Sequence, residues 1–382
     1  MKTIPYRIAI LLSLSVLFAC KSKPSSSAAN TTPVDTPKKT IANVLDPRDT
    51  DFDGPGIDAD YKSKAIDTLY VTSRDGAEEK DRPYINSKTV LERDMSDPWN
   101  HGTIKPPLKF EFGHALVVLE KTNGWLGVLE SITRRTKDKG QAWLTSGWEK
   151  VYVQESKTGK ITDVKISPEE LRAIAPDDGD AVGHPKVYLK GYLDLQLIDK
   201  SEYEDKKATA INYLDEDTAT IKKKDGVIKL PCQKNIVRYT DDTTQGDNYT
   251  IYNYVGQFPL VNQYVVRGEY DGIESGDFNL IDKTTGVATS IESYPYVSND
   301  RKYVVCVTQQ GEDNLIANLG LYKISETGIK TILNVNFEYW MPTDDEKAIF
   351  FAADGCLYVP VAYANIANEK NAYFQYLKIT IL

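Results

Sequence analysis

The sequence predicts an all-β protein. Tyrosine is abundant, with 24 residues, whereas methionine is scarce, with 3, and this usage, together with common Thr, Val and Ile, favours strands over helices. Turn glycines recur about forty residues apart in the second half of the chain, a spacing typical of repeated β-units. A helical pattern is evident only at residues 167–174, where Ser167 is the expected cap and Pro168 the first helical residue.

The first twenty residues have the pattern of a secretory signal peptide. Basic Lys2 and Arg7 precede an apolar run from Ile8 to Phe18, which is too short to span a bilayer core of about 30 Å. The tetrad Leu17-Phe18-Ala19-Cys20 resembles the lipobox of bacterial lipoproteins, which implies that Cys20 becomes the lipidated first residue of the mature protein. The alternative is an ordinary signal peptide in which Cys20 is incidental.

The lipobox resemblance implies a protein whose partner is a membrane of the bacterial envelope. Two or more acyl chains hold a protein firmly, and the outer membrane is the favoured location, with the protein facing the periplasm or the surface. Residues 21–65 are poor in apolar side chains at their start and predict a disordered tether with an acidic end. The net charge of −9 and the lack of a basic, aromatic-rich patch argue against nucleic acid as a partner.

The acidic end of the tether has the rhythm of a calcium loop. Gly54 provides the sharp turn at position 6, and Asp60 stands at position 12, where the EF-hand pattern has the longer Glu. The alternative is an acidic linker that binds no metal. The carboxylates proposed as calcium ligands are Asp49, Asp51, Asp53 and Asp60.

Residues 66–153 resemble bacterial SH3 domains, which are small β-barrels. The resemblance rests on a strand that enters a turn at 69–76, a pair of alternating strands joined by Asn123-Gly124 within 112–128, and a last strand near 140–145. Asn-Gly between alternating strands is a strong hairpin signal in its own right. The chain departs from the family in a Pro-rich insertion at 92–111.

Bacterial SH3 domains bind peptides, including those of the cell wall, or other proteins. The resemblance therefore implies a shallow groove lined by aromatic side chains, which bury a large area at low entropy cost. For Trp125 and Trp143 a core position is favoured over a place in the groove, because both lie within alternating strands. The candidate ligand-binding residues are Tyr70, Tyr84, Trp99, Trp125 and Trp143.

Residues 154–382 carry the forty-residue period. Strands end at turn glycines Gly246, Gly286 and Gly328, and Gly159 precedes them by about twice the interval. This period predicts a β-propeller of about five to six blades, with the strand at 376–382 closing the ring. Strand–turn–strand units at 294–305 and 340–350 resemble those of WD40-like and TolB-like propellers. The alternatives are an open meander and a β-sandwich.

Catalytic patterns are sparse in the sequence. His101, His114 and His184 do not pair at metal-ligand spacing, and there is neither a Gly-x-Ser-x-Gly elbow nor a phosphate-binding glycine loop. No histidine follows the cysteines of the second region, which argues against a Cys-His peptidase. We expect these cysteines to be free thiols, with a Cys306–Cys356 disulfide as the alternative. They are Cys232, Cys306 and Cys356.

The sequence thus predicts a lipid-anchored, non-enzymatic binding or scaffold protein whose SH3-like domain binds a cell-wall peptide or an envelope protein. No cofactor is expected beyond the calcium ion considered above. The alternative function is a hydrolase with its active site in the propeller channel, because a propeller fold by itself does not exclude catalysis. Asp300 and Asp345, at the blade turns, are the first candidates for that activity.

Overall fold

The structure is a computed structural model. It describes residues 64–79, 109–138, 141–175, 189–217, 219–244, 249–270, 276–310, 316–325 and 328–382. Within these ranges the fold is all-β, as predicted, with several antiparallel sheets, one α-helix and no sheet that closes on itself. The described residues belong to one compact unit of the chain.

The first region is a five-stranded sheet in the order β6-β5-β4-β1-β7, with a two-stranded ribbon of β2 and β3 beside it. Its apolar residues alternate along the strands, so that Leu69, Val71, Leu116 and Val118 fall on one face and form a core of their own. The strands are β1 (Asp67–Val71), β2 (Ala77–Glu78), β3 (Lys109–Phe110), β4 (Ala115–Thr122), β5 (Trp125–Asp138), β6 (Gln141–Gln154) and β7 (Thr158–Gly159).

The hairpin predicted at Asn123-Gly124 is confirmed. Thr122 pairs with Trp125 across the turn, and both turn residues have positive φ, 47° at Asn123 and 80° at Gly124. Two successive positive φ values define the turn type that matches the twist of antiparallel strands, and Asn-Gly adopts it readily. The sheet then continues through β7, because Gly159 pairs with Tyr70 of β1. Gly159 is therefore a strand residue, not the hairpin glycine that the repeat pattern predicts.

The second region contains four sheets in the described residues. The strands of the largest sheet have the order β8-β24-β23-β22-β9, with β21 paired to β23 as well. The strand orders of the other three sheets are β10-β13-β14-β15-β16, β17-β18-β19-β20 and β11-β12. The first strands are β8 (Leu193–Ile198), β9 (Ala210–Ile211), β10 (Asp215–Glu216), β11 (Val227–Pro231), β12 (Ile236–Thr240), β13 (Thr250–Phe258), β14 (Gln263–Tyr270), β15 (Phe278–Asp282) and β16 (Ala288–Ile291). The remaining strands are β17 (Tyr296–Val297), β18 (Tyr303–Gln310), β19 (Ile316–Ser325), β20 (Gly328–Phe337), β21 (Trp340–Pro342), β22 (Phe350–Ala352), β23 (Leu357–Tyr363) and β24 (Gln375–Ile381).

The last strand joins the two ends of the second region. β24 pairs with β8, where Leu377 lies opposite Leu197, and with β23 on its other side. The C-terminal strand was expected to close a propeller ring; it pairs with strands from both ends of the second region, but no sheet of the described residues closes on itself. The two strand–turn–strand units predicted at 294–305 and 340–350 differ from each other in strand pairing. In the first, β17 pairs directly with β18. In the second, β21 pairs with β23 and not with β22. The resemblance between the two units thus covers strand positions but not strand partners.

Helical structure is placed differently from the prediction. Residues 167–174 contain only a 3-10 turn at Glu170–Arg172, whose N-cap is Glu169 and not the expected Ser167. Ser167 still contacts the turn, because the Glu170 backbone N–H donates to Ser167 Oγ at 3.2 Å. The α-helix is α1 (Lys200–Lys207), whose single buried residue is Tyr203. The Tyr203 ring lies 4.5 Å from that of Tyr376, so α1 covers the sheet that contains β24. Within the described ranges, no helix is long and apolar enough to cross a bilayer.

The largest core links the two regions. Tyr70 and Phe112 of the first region belong to the same cluster as Leu195, Phe337 and Trp340 of the second. Across this contact the Arg74 guanidinium lies 3.8 Å above the Phe112 ring and pairs with Glu170. A cation over an aromatic ring and a paired carboxylate both favour a fixed arrangement of the contact.

Candidate functional site

The structure has two concave sites that bear on function. The first, which we name the Trp125 pocket, is a cavity of about 210 Å³ in the first region. Its lining residues are Asp75, Gly76, Glu78, Lys109, Trp125, Gln154 and Lys157.

Trp125 is positioned by the hairpin. As the first residue of β5 it lies opposite both Thr122 of β4 and Gln154 of β6, at the end of the sheet rather than in its middle. The following residue, Leu126, is fully buried in the core of the first region, whereas Trp125 is half-buried. Alternation along the strand therefore directs the indole away from that core and into the pocket.

The opposite wall of the Trp125 pocket is a tight backbone turn. Gly76 has a φ of +74°, and a Cβ atom there would lie 2.7 Å from the Phe110 carbonyl oxygen. Only glycine fits this close approach of β2 to β3. Lys109 Nζ donates to the Asp75 carbonyl at 3.3 Å, and Lys157 Nζ donates to Ser73 Oγ at 3.1 Å. The rim of the pocket carries charged side chains of both signs, since Asp75, Glu78, Lys109 and Lys157 are all among the lining residues.

Of the other predicted aromatic residues, Tyr70 does not line the Trp125 pocket. Tyr70 is a core residue, 8% exposed, and burial raises the pKa of its hydroxyl. Trp143 lies in β6 opposite Thr136. The remaining predicted site residues are outside the described residues: Cys20, Asp49, Asp51, Asp53, Asp60, Tyr84 and Trp99.

The second site is a larger cleft, of about 380 Å³, which we name the Tyr294 cleft. It lies among three segments that are far apart in the chain: the connection from β9 to β10, the residues around β17, and the 3-10 turn Glu346–Ala348 with β22. Its walls include Ile211, Val297, Phe350 and Phe351, and its polar and aromatic lining residues include Asn212, Tyr213, Glu216, Tyr294, Tyr296, Glu346 and Lys347.

Two tyrosines form the aromatic part of the Tyr294 cleft. The rings of Tyr294 and Tyr296 lie 4.9 Å apart. Asn212 Nδ2 donates to Tyr294 Oη at 3.3 Å, and Tyr296 Oη donates to the Glu346 carbonyl at 2.9 Å. Burial raises the pKa of Tyr294 to about 12, so both phenols are neutral near pH 7 and keep their hydrogen-bonding protons.

Glu346 is a carboxyl group of the Tyr294 cleft whose pKa is raised. Burial raises the pKa of its side chain, the nearby charge of Arg267 lowers it, and the charge of Glu216 raises it further, with a net rise. Arg267 Nη1 lies 3.7 Å from Glu346 Oε1, too far for a hydrogen bond. A carboxyl group of raised pKa in a cleft is a mark of functional sites.

The residues suggested for hydrolysis have turn-stabilising contacts. Asp300 Oδ1 accepts from Ser298 Oγ at 2.7 Å and from the Lys302 backbone at 3.1 Å. Asp345 caps the 3-10 turn by accepting from the Lys347 backbone N–H at 3.0 Å. Neither lines the Tyr294 cleft. The turn pattern in the sequence pointed to Asp345 and not to its neighbour Glu346, because only the folded chain shows which of the two lines the cleft.

Cysteine and metal chemistry has little support in the described residues. Cys306 and Cys356 are free thiols in separate core clusters, so the disulfide alternative is not formed. Burial raises the pKa of Cys306 to about 12, which keeps it protonated. In the part of the chain that the structure describes, no three His, Cys, Asp or Glu side chains gather as metal ligands.

Comparison with known proteins gives no match, whether to a protein family, to a curated protein or to a solved structure. The functional argument therefore rests on the geometry of the two sites.

Proposed function

We propose that this chain is a non-enzymatic binding protein of the bacterial envelope, anchored by a lipid at Cys20, and that its Trp125 pocket binds a peptide. The supporting observation is the half-buried indole of Trp125, which forms one wall of a cavity whose rim carries charges of both signs. The peptide is either a cell-wall stem peptide or an exposed segment of another envelope protein.

The chemistry of the Trp125 pocket suits a peptide. An indole face buries a large area with few rotatable bonds, so tryptophan is a frequent energetic centre of binding sites. Lys109 and Lys157 contribute positive charge to the lining, and Asp75 and Glu78 contribute negative charge. Cell-wall stem peptides carry both kinds of group on a short chain, which matches a small pocket with a mixed rim.

A binding role also agrees with the state of the described thiols. A thiolate, not a thiol, acts as a nucleophile, and the raised pKa of Cys306 opposes its ionisation. Burial likewise raises the pKa of the Cys232 thiol. These two groups are thus poor candidates for a covalent mechanism.

The proposal is tested by retention of ligands on the purified full-length protein. Stem peptides released from cell-wall sacculi, and separately a detergent extract of envelope proteins, are applied to the immobilised wild type and to Trp125→Ala. We expect retention by the wild type and at least about tenfold weaker binding by the variant. Tyr192→Ala is the matched control, because this aromatic residue is 42% exposed and lies outside both sites. Failure of the wild type to retain anything, or equal retention by Trp125→Ala, would overturn the proposal.

A further inference from the structure

The Tyr294 cleft is a second site, independent of the Trp125 pocket, and its residues point to a different ligand. At about 380 Å³ it lies within the range of small-molecule sites, which are typically 300–1,000 Å³. Such sites combine apolar walls with a few convergent polar groups. The Tyr294 cleft has this composition, with Ile211, Phe350 and Phe351 on its walls and Asn212 and Glu346 among its polar groups.

We propose that the Tyr294 cleft binds a small organic cation, an ammonium group carried on an apolar body. The apolar body would lie against Ile211, Phe350 and Phe351, and the ammonium group against the tyrosines and glutamates. A cation within about 6 Å of an aromatic face is attracted by the ring, more strongly where water is excluded.

Glu346 supplies the first argument for a positive ligand. About 40% of its side chain is exposed, and none of the described residues donates a hydrogen bond to its carboxylate. Arg267 approaches only to 3.7 Å, so the carboxylate is partly desolvated without a close donor. A partly buried charge that lacks such partners is costly, and an ammonium group in the cleft would provide the missing donor at hydrogen-bonding distance.

Glu216 supplies the second argument. It lines the same cleft from β10, and its negative charge is one of the causes that raise the pKa of Glu346. Lys347 is the one positive side chain among the lining residues, and it is exposed to solvent. The lining residues thus carry two carboxylates and one exposed ammonium, while Arg267, which does not line the cleft, lies 3.7 Å from Glu346 and offsets part of its charge.

The tyrosines supply the third argument. Tyr294 and Tyr296 donate or accept hydrogen bonds through their hydroxyls, which fixes the orientation of both rings. The Tyr294 ring also packs edge-to-face against the Phe278 ring, with 5.8 Å between the two centroids. Rings that are held in place beforehand lose little entropy when a ligand binds.

The test is calorimetric titration of the full-length protein at pH 7 with three probes of similar size: benzylammonium, benzyl alcohol and phenylacetate. We expect the cation to bind and the neutral and anionic probes to bind at least about tenfold more weakly, a difference of about 1.4 kcal/mol. Equal binding of all three probes, or no binding of the cation up to millimolar concentration, would overturn the proposal.

Variants locate the site. Glu346→Gln and Tyr294→Leu should each weaken binding of benzylammonium by about fivefold or more, because the first removes a charged hydrogen-bond acceptor and the second an aromatic face for the cation. Glu369→Gln, the same change at a half-buried glutamate outside the cleft, should bind as the wild type does. Glu216→Gln replaces Glu346→Gln where that variant fails to fold, because Glu216 is exposed. Unchanged affinity in the folded glutamate and Tyr294 variants would contradict the assignment.

Discussion

Strand β24 connects the end of the second region to its beginning, and Ile379→Ala tests how much this connection contributes to stability. Ile379 is 0% exposed and lies between two buried residues, Leu195 of β8 and Leu357 of β23. Substitution by alanine removes three carbons, each contributing about 0.8 kcal/mol by burial, and leaves a cavity in a packed layer. We therefore expect a loss of about 3 kcal/mol, within the roughly 2–5 kcal/mol range of such changes.

The assay is urea unfolding of the full-length protein followed by circular dichroism, with a thermal melt as the second measurement. At roughly 2–4 °C per kcal/mol, the expected loss lowers the Tm by roughly 6–12 °C. Lys378→Ala is the matched control, because Lys378 is the neighbouring residue on the opposite face of β24 and is only half-buried. A loss below about 1 kcal/mol for Ile379→Ala, or an equal loss for Lys378→Ala, would refute the reasoning.

Three further predictions concern a turn, a thiol and a carboxylate. Gly124→Ala should lower the free energy of unfolding by about 1 kcal/mol in urea unfolding. The penalty comes from the backbone, because φ is +80° at this residue whereas an added Cβ would have nothing within 4 Å. An unchanged urea midpoint would contradict this. Cys306, with its pKa raised to about 12 by burial, should resist alkylation at pH 8 until denaturant is added, whereas half-exposed Cys232 should react in the native protein. Hydrogen bonds from the Thr285 backbone hold the pKa of Asp282 below its usual value, so its stabilising effect is complete above about pH 4 and is lost as the pH falls through the lower native pKa. The stability gap between wild type and Asp282→Ala should therefore narrow from pH 5 to pH 2, and a constant gap would contradict the assignment.

Local signals in the sequence predicted local structure well. Asn123-Gly124 identified the hairpin because positive φ at two successive residues is a requirement that few residue types meet. Gly286 and Gly328 likewise have positive φ, 76° and 122°, next to the strands predicted for them. Residue usage, rich in Tyr, Thr, Val and Ile, was sufficient to predict an all-β fold, because this prediction does not depend on which strands pair.

Long-range pairing was beyond the sequence signals. The pairing of β21 with β23 in place of β22 depends on how the chain packs between Pro342 and Leu357, and a regular period does not encode it. Helix α1 was missed because seven of the eight residues in KSEYEDKK are not buried, which leaves no apolar stripe. Its weak signals are Glu202 in the first turn and Lys206 and Lys207 in the last, which complement the helix dipole.

The Trp125 pocket and the Tyr294 cleft likewise differ in how much of each site could be predicted from local sequence signals. Trp125 was identified from its place after an Asn-Gly turn, a local feature. The Tyr294 cleft combines residues near 212, 294 and 346, and no spacing in the sequence marks them as neighbours. Glu346 in particular is one of many acidic residues in the chain, and only its burial beside Tyr296 and Arg267 distinguishes it.

The most direct test of peptide binding at the Trp125 pocket is a fluorine NMR titration of the full-length protein labelled with 5-fluorotryptophan, which reports on each of its five indoles. Trp340 is an internal reference, because it is 0% exposed and its Nε1 donates to the Leu171 carbonyl at 3.1 Å. On addition of cell-wall stem peptides, we predict that the Trp125 resonance, assigned with Trp125→Phe, shifts saturably while that of Trp340 stays in place. A Trp125 resonance that does not move while the peptide binds would contradict the account.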